Sequence, residues 1–330
     1  MAIIASEIAQ YYAARRNQSN PAANGGRPSG TAVRCGQLHN IWPKVTTAQR
    51  LSGQTLAEKL FVRNRNAANE TAGDAWIVLD KPTGHDEYEW IVGGDQDGMQ
   101  TDIPAGARRY AAATLASAVA AGAASIDIAL PNADLADCFQ TGDTVIIYSG
   151  GPLDGNATRW EAAVVASVAG SGTGLTLTLA SPATLAHAAG GFCCSAWLPG
   201  ADFAPRIADI AQSGAGSYDI INHPIVLSNR GTIRQNWTLT YTSATQLEVS
   251  GDELGSLGEF AIASDIAPMD ASGNPYFTLS AGGHGDGHAA GDTLSFKTWA
   301  AAYGVWRFKR TPPGAGTIET TSTMLVCSVE

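Results

Sequence analysis

Apolar and polar side chains alternate one for one over much of this chain, the period of a strand with one face buried. Trp237, Leu239 and Tyr241 share one face, with Thr238, Thr240 and Thr242 on the other. Leu175, Leu177 and Leu179 alternate with Thr176 and Thr178, and Ile126, Ile128 and Leu130 repeat the pattern. Apolar runs at residues 60–63, 75–79, 88–92, 144–148, 162–168 and 192–198 predict more strands. So do residues 246–249, 260–263, 276–279, 294–298, 305–309 and 324–329. Turn residues fall between them, at Lys81-Pro82-Thr83-Gly84, Gly93-Gly94, Thr141-Gly142-Asp143 and Gly170-Ser171-Gly172-Thr173-Gly174. Short strands separated by turns, with no amphipathic helices between them, exclude a parallel α/β fold.

Two places depart from the strand pattern. Residues 3–16 carry Ile3, Ile4, Ile8, Tyr11 and Tyr12 at helical spacing and end on Arg15 and Arg16, which complement a helix dipole. Thr46-x-x-Gln49 is a capping box and predicts a short helix ending near Gly53. Residues 17–30, with Pro21, Gly25, Gly26 and Pro28, read as a linker. The expected fold is mainly all-β, a multi-domain antiparallel β-sandwich or small-barrel protein with a short N-terminal helix. Its expected parts are an N-terminal helix and arm (1–35), a β-rich domain (36–111), a small barrel or sandwich (112–200) and a C-terminal sandwich (201–330). Loop-like segments at 103–109 and 198–205 make 112–200 a candidate insertion between two halves of a larger fold.

Composition narrows the function classes. Charged residues are 15% of the chain, against roughly 25% in average globular proteins, and Gly reaches 37 residues. A surface poor in charge suits a protein covered by partners. A net charge of -10 argues against nucleic acid or an anionic membrane as partner. No run of about 18 apolar residues predicts a membrane-spanning helix, and the N-terminus lacks the pattern of a secretory signal. The five cysteines, Cys35, Cys138, Cys193, Cys194 and Cys327, have no zinc-site spacing and read as reduced, mostly buried thiols.

Candidate chemistry is sparse. His284-Gly-Asp286-Gly-His288 would put two imidazoles and a carboxylate on one strand face, about 7 Å apart at alternating positions, where a metal could bridge them. Asp95-Gln-Asp97-Gly98 opens like a calcium loop, but Met99 and Gly106 stand where further ligands belong. The Gly170–Gly174 stretch lacks the Lys and Ser/Thr of a phosphate loop. No Gly-x-Ser-x-Gly elbow occurs. Asp86, Glu87 and Glu89 are acidic neighbours without a feature that singles out a glycosidase pair. Trp237, Tyr241, Trp299, Trp306 and Phe308 could form a sugar platform, although strand aromatics are mainly core or contact residues. No enzyme and no cofactor are expected.

One stretch carries a resemblance. Asn40-Ile-Trp-Pro-Lys-Val-Thr-Thr-Ala-Gln-Arg50-Leu-Ser-Gly, leading to Lys59-Leu-Phe-Val-Arg-Asn64, resembles structural proteins encoded in the tail gene clusters of Mu-like transposable phages and prophages. Phe139-Gln-Thr-Gly-Asp143-Thr-Val-Ile-Ile and the stretch from Pro275 to Phe296 are similar to the same family, so the likeness runs from about residue 36 onward. This chain departs from the pattern at Lys44, where Asn is usual, and at Gln49, where Glu is usual. In that family the Gly-His-Gly-Asp-Gly-His segment has Gly-Trp-Gly-Ser-Gly-Trp-like counterparts, which speaks against histidine ligands. The resemblance implies a virion component of the tail tip or baseplate, made in the host cytoplasm, that works by assembly and not by catalysis. It further implies a threefold or sixfold homo-oligomeric ring with other tail proteins as neighbours and no membrane insertion. Candidate interface residues are Ile4, Ile8, Tyr11, Tyr12, Trp42, Trp299 and Trp306. The alternative is a carbohydrate- or receptor-binding β-protein of the virion that meets a host surface glycan. Exposure of Trp237, Trp299 and Trp306 distinguishes the two, since a platform needs exposed rings.

Overall fold

The structure is a computed structural model that describes residues 4–34, 37, 39–84, 86–150, 153, 159–316 and 323–328. The chain is mainly β and forms two compact units. One is made of Met1–Tyr11, Phe61–Gly73 and Asp202–Tyr303, the other of Tyr12–Leu60, Asp74–Ala201 and Gly304–Glu330. Residues 112–200 fall entirely in the second unit.

At the N-terminus the helical reading is overturned. A single 3-10 turn, Ala5–Glu7, leads into strand β1 (Ile8–Arg15), followed by β2 (Gly25–Ala32) in the expected linker. Tyr11, Tyr12 and Ala13 are buried in succession, which suits a strand covered on both faces better than a helix with one apolar stripe. Pro28 is tolerated in β2 because that strand is a sheet edge. Gly25 has a φ of 121°, and a Cβ there would stand 2.7 Å from the Gly98 carbonyl oxygen, so only glycine fits. The predicted helix α1 (Thr47–Ser52) forms as expected. Gln49 N donates to Thr46 Oγ1 at 3.3 Å, Thr46 N donates to Gln49 Oε1 at 2.8 Å, and Gly53 ends the helix at φ 72°.

The second unit holds most of a six-stranded sheet. To β1 and β2 it adds β3 (Gln54–Asn64), β5 (Tyr88–Gly94), β6 (Arg109–Tyr110) and β18 (Ala302–Thr311), in the order β2-β1-β3-β18-β5-β6. A two-stranded ribbon pairs β4 (Trp76–Leu79) with β19 (Leu325–Ser328). Ala57, Val92 and Trp306 form the core of the sheet's face, with Trp90 and Phe308 packed against them.

The same unit contains a closed barrel. Strands β7 (Ala112–Leu115), β8 (Ser125–Ala129), β9 (Thr144–Tyr148), β10 (Trp160–Ser171), β11 (Gly174–Leu179) and β12 (Phe192–Ser195) close in the order β10-β11-β8-β7-β12-β9. The alternating residues Ile126, Ile128, Leu175, Leu177 and Leu179 fill it together with Val145, Ile147 and Cys193. Closure removes the unpaired edges that a small open sheet would expose. Cys138, Cys193 and Cys194 are buried free thiols and Cys327 is half-buried and free; Cys35 lies outside the described residues.

In the first unit, β13 (Arg206–Ser213), β14 (Gln235–Tyr241), β15 (Gln246–Gly251), β16 (Gly255–Ala261) and β17 (Thr293–Trp299) form an antiparallel sheet in the order β13-β17-β14-β15-β16. Trp237, Leu239, Tyr241, Leu247, Val249, Leu294 and Phe296 are packed from this sheet against Tyr218, Phe277 and Leu279. Residues 276–279, expected as a strand, make only isolated bridges, Val226 with Thr278 and Ile266 with Leu279.

Candidate functional site

Tyr241 on β14 gathers the two histidines of the glycine-rich segment. His288 stacks on its ring with centroids 3.8 Å apart and planes 9° apart, while the Tyr241 hydroxyl and His284 Nδ1 share a hydrogen bond of 2.8 Å. His284 also meets the Tyr218 ring edge-on at 5.0 Å. The segment is not a strand: a 3-10 turn, Ala281–Gly283, precedes it, and the predicted one-face alignment does not form. Asp286 is exposed and takes no part. Among the described residues no three His, Cys, Asp or Glu side chains are grouped to hold a metal. Burial, aided by the neighbouring His288, pushes the His284 imidazole down to about 4. Burial lowers His288 as well, opposed by the Asp292 carboxylate. Both rings are therefore neutral at pH 7 and serve as aromatic packing pieces.

The Asp95 loop is closed around a cation of the protein's own. Asp95 Oδ1 accepts from the backbone N–H of Asp97 at 3.1 Å and of Gly98 at 2.5 Å. Buried Lys59 puts its ammonium 2.7 Å from the Gly98 carbonyl and 3.5 Å from Asp95 Oδ1. A carbonyl and a carboxylate oxygen of the loop are thus bound to the protein's own ammonium. The nearby acidic residues are also committed. Glu87 pairs with Lys309 and accepts from Thr311 Oγ1 at 2.9 Å. Glu89 pairs with Arg307 Nε at 2.7 Å and accepts from Trp42 Nε1 at 3.0 Å.

The tryptophans do not form a platform. Trp237 and Trp306 are buried at 1% and 2% exposure. Trp299 is half-buried, with the guanidiniums of Arg206 and Arg234 at 4.1 and 4.6 Å from its ring. Arg206 lies on β13 and Arg234 just before β14, the strands that flank β17 on either side. Of the expected interface residues, Tyr11, Tyr12 and Trp306 are buried within the chain and unavailable to a partner. Ile4 is exposed, and Ile8 and Trp42 are half-buried, as is Trp299.

One constellation escaped the sequence. On the barrel, Ser149 follows β9, Glu161 lies on β10 opposite Ile147, and His187 sits in the connection from β11 to β12. His187 Nε2 is 2.9 Å from Glu161 Oε1, and His187 Nδ1 is 3.3 Å from Ser149 Oγ. Reciprocal backbone bonds between His187 and Val119, at 2.8 and 2.9 Å, fix the histidine's place. Glu161 further accepts from Thr184 N at 2.6 Å, Thr184 Oγ1 at 2.7 Å and Leu185 N at 3.1 Å. Burial opposes its ionisation, but these bonds and His187 outweigh it and hold the carboxyl below its ordinary value. No short motif links residues 149, 161 and 187; only barrel closure brings them together. Glu161, Thr184 and their neighbours also line a shallow depression of about 240 Å³, below the usual range of ligand pockets, roughly 300–1,000 Å³.

Comparison of the chain with protein-family models, with curated proteins and with solved structures finds no match.

Proposed function

We propose that this chain is a structural component of a bacteriophage tail, at the tail tip or baseplate, and acts by being assembled with copies of itself and with other tail proteins. The observation that carries this reading is the use made of His284 and His288. Both are packed as aromatic rings around Tyr241, inside the stretch from Pro275 to Phe296 that resembles the phage family, where that family has Gly-Trp-Gly-Ser-Gly-Trp-like counterparts with aromatic rings in place of the two histidines. The capping box at Thr46–Gln49, within the other resembling stretch, likewise serves the framework. Rigid β units with few surface charges suit contacts repeated around a ring. A glycan-binding role loses its support with the burial of Trp237 and Trp306 and the guanidinium cover of Trp299.

Mass photometry of the purified chain, followed by cryo-electron microscopy of the particle, tests the proposal. A threefold or sixfold ring found at the tail end is the expected result. A monodisperse monomer absent from the particle overturns it.

A further inference from the structure

The geometry points to an activated serine: we propose that Ser149 is a nucleophile with His187 as its base and Glu161 as the residue that positions that base. Such a centre takes up the acyl group of a small carboxylic ester. The inference is independent of the assembly reading, since a virion part can carry a reactive serine without changing its contacts.

An ionised carboxylate only accepts, so the nitrogen facing Glu161 Oε1 at 2.9 Å is the one that bears the proton. Nε2–H then donates to Glu161, and in that tautomer the Nδ1 lone pair faces the Ser149 hydroxyl 3.3 Å away. The tautomer that a general base requires is therefore the one Glu161 selects. Exposure divides the same way. His187 and Glu161 are buried, at 3% and 8%, while Ser149 is open to solvent. Base and orienter are thus held in a low-dielectric setting, and the reacting oxygen stands where an ester can reach it. The Ala188 N–H donates to Ser149 Oγ at 3.3 Å, which favours negative charge developing on that oxygen.

The step balances within these groups. Ser149 Oγ attacks the ester carbonyl carbon as its proton moves to His187 Nδ1, leaving an imidazolium beside the Glu161 carboxylate. The carbon–oxygen bond to the alcohol then breaks, and the leaving oxygen takes the proton from Nδ1. Water, deprotonated by the same nitrogen, cleaves the acyl-serine to release the acid and restore the hydroxyl.

The experiment uses the full chain, an alkyl fluorophosphonate as probe and peptide mass mapping. The Oγ–P bond forms as the P–F bond breaks, with fluoride and the serine proton released. Selective labelling of Ser149 is expected, absent in Ser149→Ala and slowed about 100-fold or more in His187→Gln. In Glu161→Gln, the acid limb of the labelling-rate profile is expected to move to lower pH, because the imidazolium loses its anion; a purely structural glutamate would leave that limb in place. Hydrolysis of 4-nitrophenyl acetate should follow the same order among the variants. Labelling of Ser149 no faster in the folded than in the urea-unfolded chain overturns the proposal, as does equal labelling in folded His187→Gln. Should His187→Gln fail to fold, the comparison of folded with unfolded wild-type chain decides.

Discussion

His288 lies flat against Tyr241, 3.8 Å between ring centroids, and among the described residues neither of its ring nitrogens has a hydrogen-bond partner, the Asp292 carboxylate standing 3.9 Å from Nδ1. A buried imidazole left unpartnered costs roughly 1–3 kcal/mol per unsatisfied group. What the position uses is the ring's flat shape, filling the space beside Gly216, where a Cβ would stand 2.3 Å from Nδ1. His288→Phe is therefore expected to hold or raise the melting temperature, because the stack survives and the unpaired nitrogens vanish. His288→Ala should cost about 2–4 kcal/mol by leaving a cavity. Urea unfolding of the two variants checks this, and a Phe variant less stable than the Ala variant would refute it. Zinc should leave the wild-type melting temperature unchanged, since among the described residues no third ligand joins the pair.

The same burial makes the first unit acid-sensitive. The His284 imidazole is pushed down to about 4 from an ordinary 6.5, so at pH 7 the folded chain does not bind the proton and the unfolded chain binds it only in minor part. As pH falls below about 6.5 the unfolded chain takes it up first, and stability drops until the folded form also protonates near pH 4. His288, lowered in the same direction, adds to the drop. The loss from His284 is on the order of 3 kcal/mol at most, reduced by the water that reaches its half-buried ring. Hydrogen-exchange protection factors in residues 235–241 and 293–299, taken relative to the intrinsic rate at each pH, should fall between pH 6.5 and 4.5 in the wild type more than in His284→Phe. An equal fall in both would rule this origin out.

Lys59 gives a third test. Its buried ammonium is bonded to Gly98 and Asp95, so the loop carries its own cation. Lys59→Met should destabilise the chain by about 1–3 kcal/mol through the carbonyl and carboxylate it leaves behind. Calcium and EGTA should both leave the wild-type melting temperature unchanged. A calcium-dependent rise would mean that the ion displaces the lysine.

Much of the architecture was legible because its causes are local. The alternation at Trp237–Tyr241 and Leu175–Leu179 needs only the two-residue period of a strand, and each stretch became one. The helix at Thr47–Ser52 needs only its capping box and Gly53. The errors arose where long-range cover decides. Helical spacing in residues 3–16 gave way to β1 because that strand lies between β2 and β3. Glycine and proline at 25–28 suggested a linker and instead occupy an edge strand. Of the candidate sites, the histidine segment could be seen but its geometry could not, since glycines leave the backbone free. Ser149, Glu161 and His187 carry no motif, and their meeting depends on which barrel strands pair.

The edges of the first unit's sheet limit association through added strands. The outer strands of the first unit's sheet, β13 and β16, both carry a bulge. On β13 the pairing with β17 shifts between Ala208 and Ala211, with Asp209 at a φ of 54°. On β16 the pairing with β15 shifts at Val249 and Ser250, with Gly258 at a φ of 105°. A bulge twists an edge and interrupts the row of free backbone groups that another strand would need. Assembly through this unit is therefore expected to use loops and faces, not added strands. Deleting Asp209 removes the extra residue and restores a regular edge on β13. The expected outcome is concentration-dependent association, read by light scattering, in the deletion variant but not in Asp209→Gly, which keeps the bulge. Should the two variants scatter alike while both stay folded, the bulge is not what guards this edge.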